Sequence, residues 1–188
     1  VAGGAKRISE RVQELMHGGR HLLSLINDVL DLARIEAGGL HLALAPVELD
    51  PLVEDCLRLV QPAADERHLT VVRPAPGGPG LRAQADPTRL RQVLLNLLSN
   101  AIKYNRPGGQ VTIRAEPSAG WWLLQVEDTG RGLSPEQLQH LFEPFNRLGA
   151  DREGIAGTGI GLAIVQASVQ NMGGTVQVRS TPGVGSVF

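Results

Sequence analysis

Apolar positions recur alternately four and three apart from Ile8 to Ala33, through Val12, Leu15, Gly19, Leu22, Ile26 and Val29. That spacing predicts a long amphipathic helix with a packing seam. Met16, Leu23 and Leu30 widen the stripe on one flank and Leu25 and Leu32 on the other, which suits a four-helix bundle better than a two-stranded coil. The helix therefore needs partners. A second copy of the chain and a further hairpin arm upstream of Val1 would supply them, and Gly38 and Gly39 end the helix.

A second helical pattern, Leu90 to Tyr104, is apolar on one side only. Leu90, Leu94, Leu97, Leu98 and Ala101 form that side. Gln92, Asn96, Asn100 and Lys103 fall opposite within an arc of roughly 80° at 100° per residue. A solvated helix face would carry Lys, Glu and Arg. Two amides in line with a lysine instead offer a carbonyl to a metal and positive charge to phosphate.

Between and after these helices the pattern alternates. Leu40, Leu42 and Leu44 read as a strand, and Asp50-Pro51 as an N-cap with proline in the first turn, opening a helix to about Arg67 that Pro62 should kink or break. Strands are predicted at His68 to Arg73 and Leu81 to Ala85, flanking a surface loop from Pro74 to Gly80. Asp86-Pro87 repeats the cap signal before the polar-faced helix. A hairpin follows at Gln110 to Glu116 and Trp121 to Glu127, then a capping box at Ser134 to Gln137 opening a short helix from Pro135 to Phe142. Asn146 to Gly157 lacks periodicity and reads as mobile. Thr158 to Met172 is a last helix, stopped by Gly173-Gly174, before strands at Thr175 to Ser180 and Ser186 to Phe188. The order of elements is that of an α+β chain, without the βαβ beat of a doubly wound sheet.

With 188 residues, 42% of them hydrophobic, the chain can bury one good core plus an extension. The net charge of −1 and the lack of a basic run argue against nucleic acid or a membrane surface as partner. No apolar run is long enough to span a bilayer or to act as a signal peptide, so a cytoplasmic segment is expected. Cys56, the only cysteine, excludes an internal disulfide. The start at Val1 and the stop at Phe188 within a strand look like cuts in a longer protein. His17 and His21, one helical turn apart, lack a third ligand and read as solvated bundle histidines rather than a metal site.

Two glycine clusters remain, Asp128-Thr129-Gly130-Arg131-Gly132 at a strand end and Gly157-Thr158-Gly159-Ile160-Gly161 at a helix start. Glycines often mark nothing but turns, yet at a helix start they bare N–H groups to phosphate. Together "RLRQVLLNLLSNAIKY", "VEDTGRGL", "LFEPFNRL" and "GTGIGLAIVQ", in this order, closely resemble the four nucleotide-binding boxes of bacterial sensor histidine kinases. "HLLSLINDVLDLARIEAGGL" resembles the second helix of that family's dimerisation and phosphotransfer hairpin. The resemblance implies a two-layer α/β sandwich, a mixed sheet covered by helices on one face, preceded by the long helix. Residues 1–39 would be the incomplete hairpin and 40–188 the catalytic ATP-binding domain.

The resemblance also assigns roles. Asn96 would hold Mg²⁺, Asn100 would lie against the phosphates, Lys103 would neutralise them, and Tyr104 would pack along the nucleoside. Asp128 would accept the adenine amino group, with Gly130 and Gly132 letting the backbone approach the base. Phe142 and Phe145 would anchor a lid, although plain core packing is an alternative. Arg147 would reach the γ-phosphate rather than form a surface ion pair. Gly157, Thr158, Gly159, Gly161 and Leu162 would hinge the lid and receive the nucleotide.

Gln92 stands where related ATPases carry a water-activating glutamate, and an amide cannot take that proton. Slow hydrolysis is therefore expected, with the γ-phosphoryl reserved for a histidine and then for an aspartate on a response-regulator receiver domain. None of His17, His21, His41, His68 and His140 carries the acceptor motif, so an acceptor upstream of Val1 and no autophosphorylation of this chain by itself are expected. Two alternatives are an ATPase of the gyrase or chaperone type and a non-catalytic dimerisation module. Gln92 and the lid boxes weigh against the first, and the intact nucleotide boxes against the second.

Overall fold

The computed structural model describes residues 11, 12, 16, 18, 19, 22, 23, 26, 27, 29–34, 42–74, 80, 82–118, 120–149 and 157–188. It divides into two units, Val1–Gly39 and Leu40–Phe188. In the first, the described residues from Arg11 to Arg34 are helical, and Val12, Met16, Leu22, Leu23, Ile26, Val29 and Leu30 are exposed. The expectations for Ile8, Leu15, His17, His21, Leu25, Gly38 and Gly39 lie outside the described residues. Among the described residues no helix is long and apolar enough to cross a membrane.

The second unit begins with β1 (Ala45–Glu48), which leads directly into α1 (Leu49–Glu66). β1 starts later than the alternation of leucines suggested, because the antiparallel partner β3 (Arg82–Ala85) offers only the span Ala45↔Ala85 to Glu48↔Arg82. Asp50 is not the N-cap. Glu48 holds that position without a side-chain cap bond, while the Asp50 carboxylate, inside the first turn, pairs with Arg73. Pro62 does not end α1 either. The buried stripe Leu52, Val53, Cys56, Val60 and Ala64 runs across it, so core packing on one face holds the helix through the lost hydrogen bond. His68, at φ +55°, turns the chain, and β2 (Thr70–Val72) begins two residues after the expected start.

Asp86 caps α2 (Pro87–Lys103), accepting from the N–H groups of Thr88 at 2.9 Å and Arg89 at 3.0 Å. Leu90, Val93, Leu94, Leu97, Leu98, Ala101 and Ile102 are buried, so the predicted apolar side of this helix is core. β4 (Gln110–Ser118) and β5 (Trp121–Asp128) form the long hairpin, paired from Val111↔Asp128 to Ser118↔Trp121. α3 (Pro135–Gln139) opens on the capping box between Ser134 and Gln137. It stops before Phe142, because Pro144 disfavours helical backbone ahead of it and the chain turns at His140.

α4 (Gly161–Asn171) starts three residues later than expected. Gly159 sits at φ +74° and the Thr158 hydroxyl accepts from the Ile160 N–H at 3.1 Å, a turn rather than a helical start. β6 (Arg179–Thr181) and β7 (Gly185–Val187) complete a five-stranded mixed sheet of order β2-β4-β5-β7-β6, in which only β2 and β4 are parallel. β6 begins at Arg179, not Thr175, since it pairs only with the three residues of β7. The β1–β3 pair is a separate small sheet, tied to the large one where Trp122 Nε1 donates to the Arg82 carbonyl at 2.7 Å. Val111, Ile113 and Val126 on the inner face of the sheet share one core with Leu49, Val53, Leu94, Leu98 and Val165 of the helices. The opposite face carries the exposed Trp121 and Leu123 and the Arg114–Glu127 ion pair at 2.7 Å.

Candidate functional site

The same helix that fills the core with its leucines turns Gln92, Asn96, Asn100 and Lys103 outward, and all four are half-buried rather than solvated. The Gln92 side-chain carbonyl accepts from Arg89 Nη1 at 2.8 Å. Asn96 Nδ2 lies 3.4 Å from the Gly161 carbonyl, a long contact that leaves Oδ1 as the atom able to meet a cation. A Cβ at Gly161 would meet Asn96 Oδ1 at 3.4 Å, an ordinary van der Waals contact, so the start of α4 lies directly beside this face of α2. Among the described residues no group of three or more His, Cys, Asp or Glu could hold a metal. A cation beside Asn96 would have to take its other ligands from a bound anion and water.

Lys103 ends α2. Its Nζ lies 5.1 Å from the Tyr104 ring centroid and occupies the place where a Cβ on Gly157 would fall. Burial, and then Arg147, Arg67 and Arg131 in turn, hold the Lys103 ammonium below the usual lysine range. A lysine desolvated among three guanidiniums is a seat for a polyanion.

Asp128 closes β5, where its Oδ1 accepts the Gly130 N–H at 2.8 Å. Burial pushes this carboxyl above the usual range and Glu127 adds to the rise, against the opposing pull of the Gly130 and Ser186 N–H groups. Gly130 is pressed so close to the Tyr104 carbonyl that no Cβ fits. Gly132, at φ +66°, is as tight against Thr181. The two glycines therefore dock the loop flush on the end of α2 and on the β6–β7 turn.

The remaining predicted residues gather around the Gly159 turn, on the Lys103 side. The Phe145 N–H donates to the Gly159 carbonyl at 3.0 Å, and a Cβ on Gly159 would stand 3.1 Å from Arg147 Cγ. Phe142 is half-buried, whereas Phe145 is 62% exposed at φ +64°, so its backbone and not its ring makes the attachment. Leu162 packs against the core from α4.

Other residues of the site were not singled out by sequence reasoning. Arg67 Nη1 donates to the Lys103 carbonyl at 2.8 Å across 36 residues of chain. Asn105 Nδ2 donates to the Ala101 and Gln110 carbonyls at 3.0 Å each, and the Thr129 hydroxyl reaches Asn105 Oδ1 at 3.3 Å, tying the Asp128 loop to the end of α2. Asn105 follows the polar stripe directly, which is a local signal. Arg67 has none.

Residues 85–188 match the family model described as Histidine kinase-, DNA gyrase B-, and HSP90-like ATPase. The chain is 38% identical over 185 residues to the circadian input-output histidine kinase CikA of Synechococcus elongatus, covering 97% of this chain and 24% of that protein. It is 37% identical over 180 residues to the histidine protein kinase DivJ of Caulobacter vibrioides, covering 96% of this chain and 30% of that one. Among solved structures, full-length ShkA in complex with AMPPNP superposes with a TM-score of 0.82 at 37% identity, over 95% of this chain and 37% of that chain. The chain thus spans less than a third of these two curated relatives.

Proposed function

Because the chain belongs to the histidine kinase-, DNA gyrase B- and HSP90-like ATPase family, we propose that it is the Mg²⁺–ATP-binding catalytic part of a two-component sensor histidine kinase. The observation that carries this reading is the meeting of Asn96, Lys103 and the start of α4 on one side of α2, with Asp128 held beside Tyr104 at its end. The residues suit the nucleotide. Gly130 and Gly132 let the loop that carries Asp128 pack tightly on Tyr104 and Thr181, which holds the carboxylate in place for adenine, and a triphosphate compensates the lysine among three arginines.

Asp128 accepts the adenine amino group, which selects adenine over guanine, whose amino group lies elsewhere on the ring. Tyr104 packs along the nucleoside, Asn100 lies against the phosphates, and Lys103 and Arg147 balance their charge. Gly157, Thr158, Gly159 and Gly161 give the backbone room to approach the phosphates. Asn96 Oδ1 would hold the magnesium, which neutralises phosphate oxygens and aligns the γ-phosphoryl group for transfer. Gln92, whose carbonyl Arg89 engages, supplies no general base, so water is poorly activated and the phosphoryl group is kept for an imidazole.

The acceptor in the intact protein is then a histidine of a dimerisation hairpin, and the final acceptor an aspartate on a receiver domain. Two copies would meet through the N-terminal helix, on the cytoplasmic side of any membrane. Calorimetry with Mg²⁺–ATP tests the binding step. Asp128→Asn should weaken ATP by about tenfold or more, as expected when a buried charged hydrogen bond is lost. Equal affinity in the variant would overturn the adenine assignment. Incubation of the chain with labelled ATP should yield neither rapid turnover nor acid-labile, base-stable phosphate. Stoichiometric labelling would show an acceptor within it, and fast release of phosphate would point to a hydrolase.

A further inference from the structure

Four cationic side chains from four segments meet where α2 ends. Lys103 is the last helical residue, Arg67 reaches its carbonyl from the end of α1, Arg131 follows β5, and Arg147 follows α3. Arg131 is the least expected member, since a residue between two glycines of a turn ordinarily points into solvent.

Here its backbone is pinned on both sides. The Arg131 N–H donates to the Tyr104 carbonyl at 3.2 Å and its own carbonyl accepts from the Gly183 N–H at 2.7 Å, while Gly130 and Gly132 leave no play against their neighbours. The side chain leaves this anchor over Tyr104, with its guanidinium carbon 4.7 Å from the ring centroid. Lys103 Nζ is 5.1 Å from the same centroid, so a single ring carries both cations. The aromatic quadrupole offsets part of their repulsion. A planar guanidinium attracted to a ring face also keeps N–H donors at its edge, the geometry that matches phosphate oxygens.

We propose that Arg131 is a further substrate-binding residue, held on the Tyr104 ring so that its guanidinium meets the phosphate chain of the nucleotide beside Lys103. The proposal rests on the nucleotide reading above. It commits Arg131 to the phosphates and not to the base, because the guanidinium shares its ring with Lys103, whereas the base is assigned to Asp128. A purely structural Arg131 would instead brace the loop, and its loss would disturb base and phosphates alike.

Calorimetry with ATP and with adenosine separates these cases. Arg131→Gln should weaken ATP by roughly tenfold, the loss of one charge-assisted contact, and leave adenosine within about twofold. Arg131→Lys, which keeps the charge without the planar donor edge, should fall between and guards against a variant that fails to fold. Unchanged ATP affinity in Arg131→Gln, or equal losses for ATP and adenosine, would overturn the proposal while leaving the nucleotide reading intact. A wild-type chain that binds neither ligand would overturn both.

Discussion

The ionised Asp128 carboxylate works against folding, a cost that its proposed contact with adenine would explain. Its carboxyl is pushed above the usual range chiefly by burial, so the charged form is less favourable in the folded chain than in the unfolded one. A carboxyl raised in this way adds stability below its unfolded pKa and loses that contribution as the pH rises through the folded value. At neutral pH the ionised group therefore weighs against the fold. Asp128→Asn should leave the thermal midpoint equal or higher while ATP binding falls, a divergence that a melting curve and a titration on one sample detect. Lowering the pH through the raised pKa should weaken ATP binding in the wild type, because a neutral carboxyl accepts from the adenine amino group more weakly than a carboxylate does, and the variant should lack this dependence.

Two helices make predictions at the next scale. Asp86 is 8% exposed and gathers three backbone donors: the Thr88 and Arg89 N–H groups at the start of α2 and the Ala43 N–H at 3.0 Å from the segment before β1. Burial alone would raise its pKa, but those three donors and the charge of Arg89 outweigh it and the value is lowered. The stability Asp86 adds is thus present above the ordinary carboxylate pKa and is lost as the pH falls through its depressed value. Asp86→Ala should cost about 0.5–2 kcal/mol for the cap, and more for the stranded Ala43 donor, as read by denaturant unfolding. Its effect should fade in strong acid. In α1, exposed Pro62 interrupts a helix that packing holds together. Pro62→Ala should stabilise by roughly 1–2 kcal/mol, the helix gain reduced by the added freedom of the unfolded chain. No gain would mean that α1 has already relaxed around the proline.

For the second unit as a whole, the site depends on strands remote from its motifs. β7 pairs Ser186 with Asp128 and Val187 with Glu127, and Phe188 exchanges hydrogen bonds of 2.9 Å in both directions with Val126. Removing residues 185–188 should leave β5 unpaired on that side and free the loop that carries Asp128. ATP binding should disappear and amide protection at Val126 should collapse with it, measured by hydrogen exchange. Retained binding would show that the β4–β5 hairpin positions the loop without further help.

Much of this was legible in the chain. The stripe from Gln92 to Lys103, the caps at Asp86 and Ser134 and the turn glycines at 132 and 159 are written in local spacing, because helical period, cap chemistry and left-handed backbone depend on residues a few positions apart. The boxes they form identified the family. The tertiary structure decided what depends on distance across the fold. Pro62 is tolerated because a buried face spans it, and Asp50 is taken from capping by Arg73, 23 residues away. Arg67 and Arg131 join Lys103 only because the sheet and helices bring separate segments to the end of one helix. Electrostatic coupling and strand pairing follow separation in space, where one residue of slippage reverses a strand's faces, and no local pattern encodes that separation.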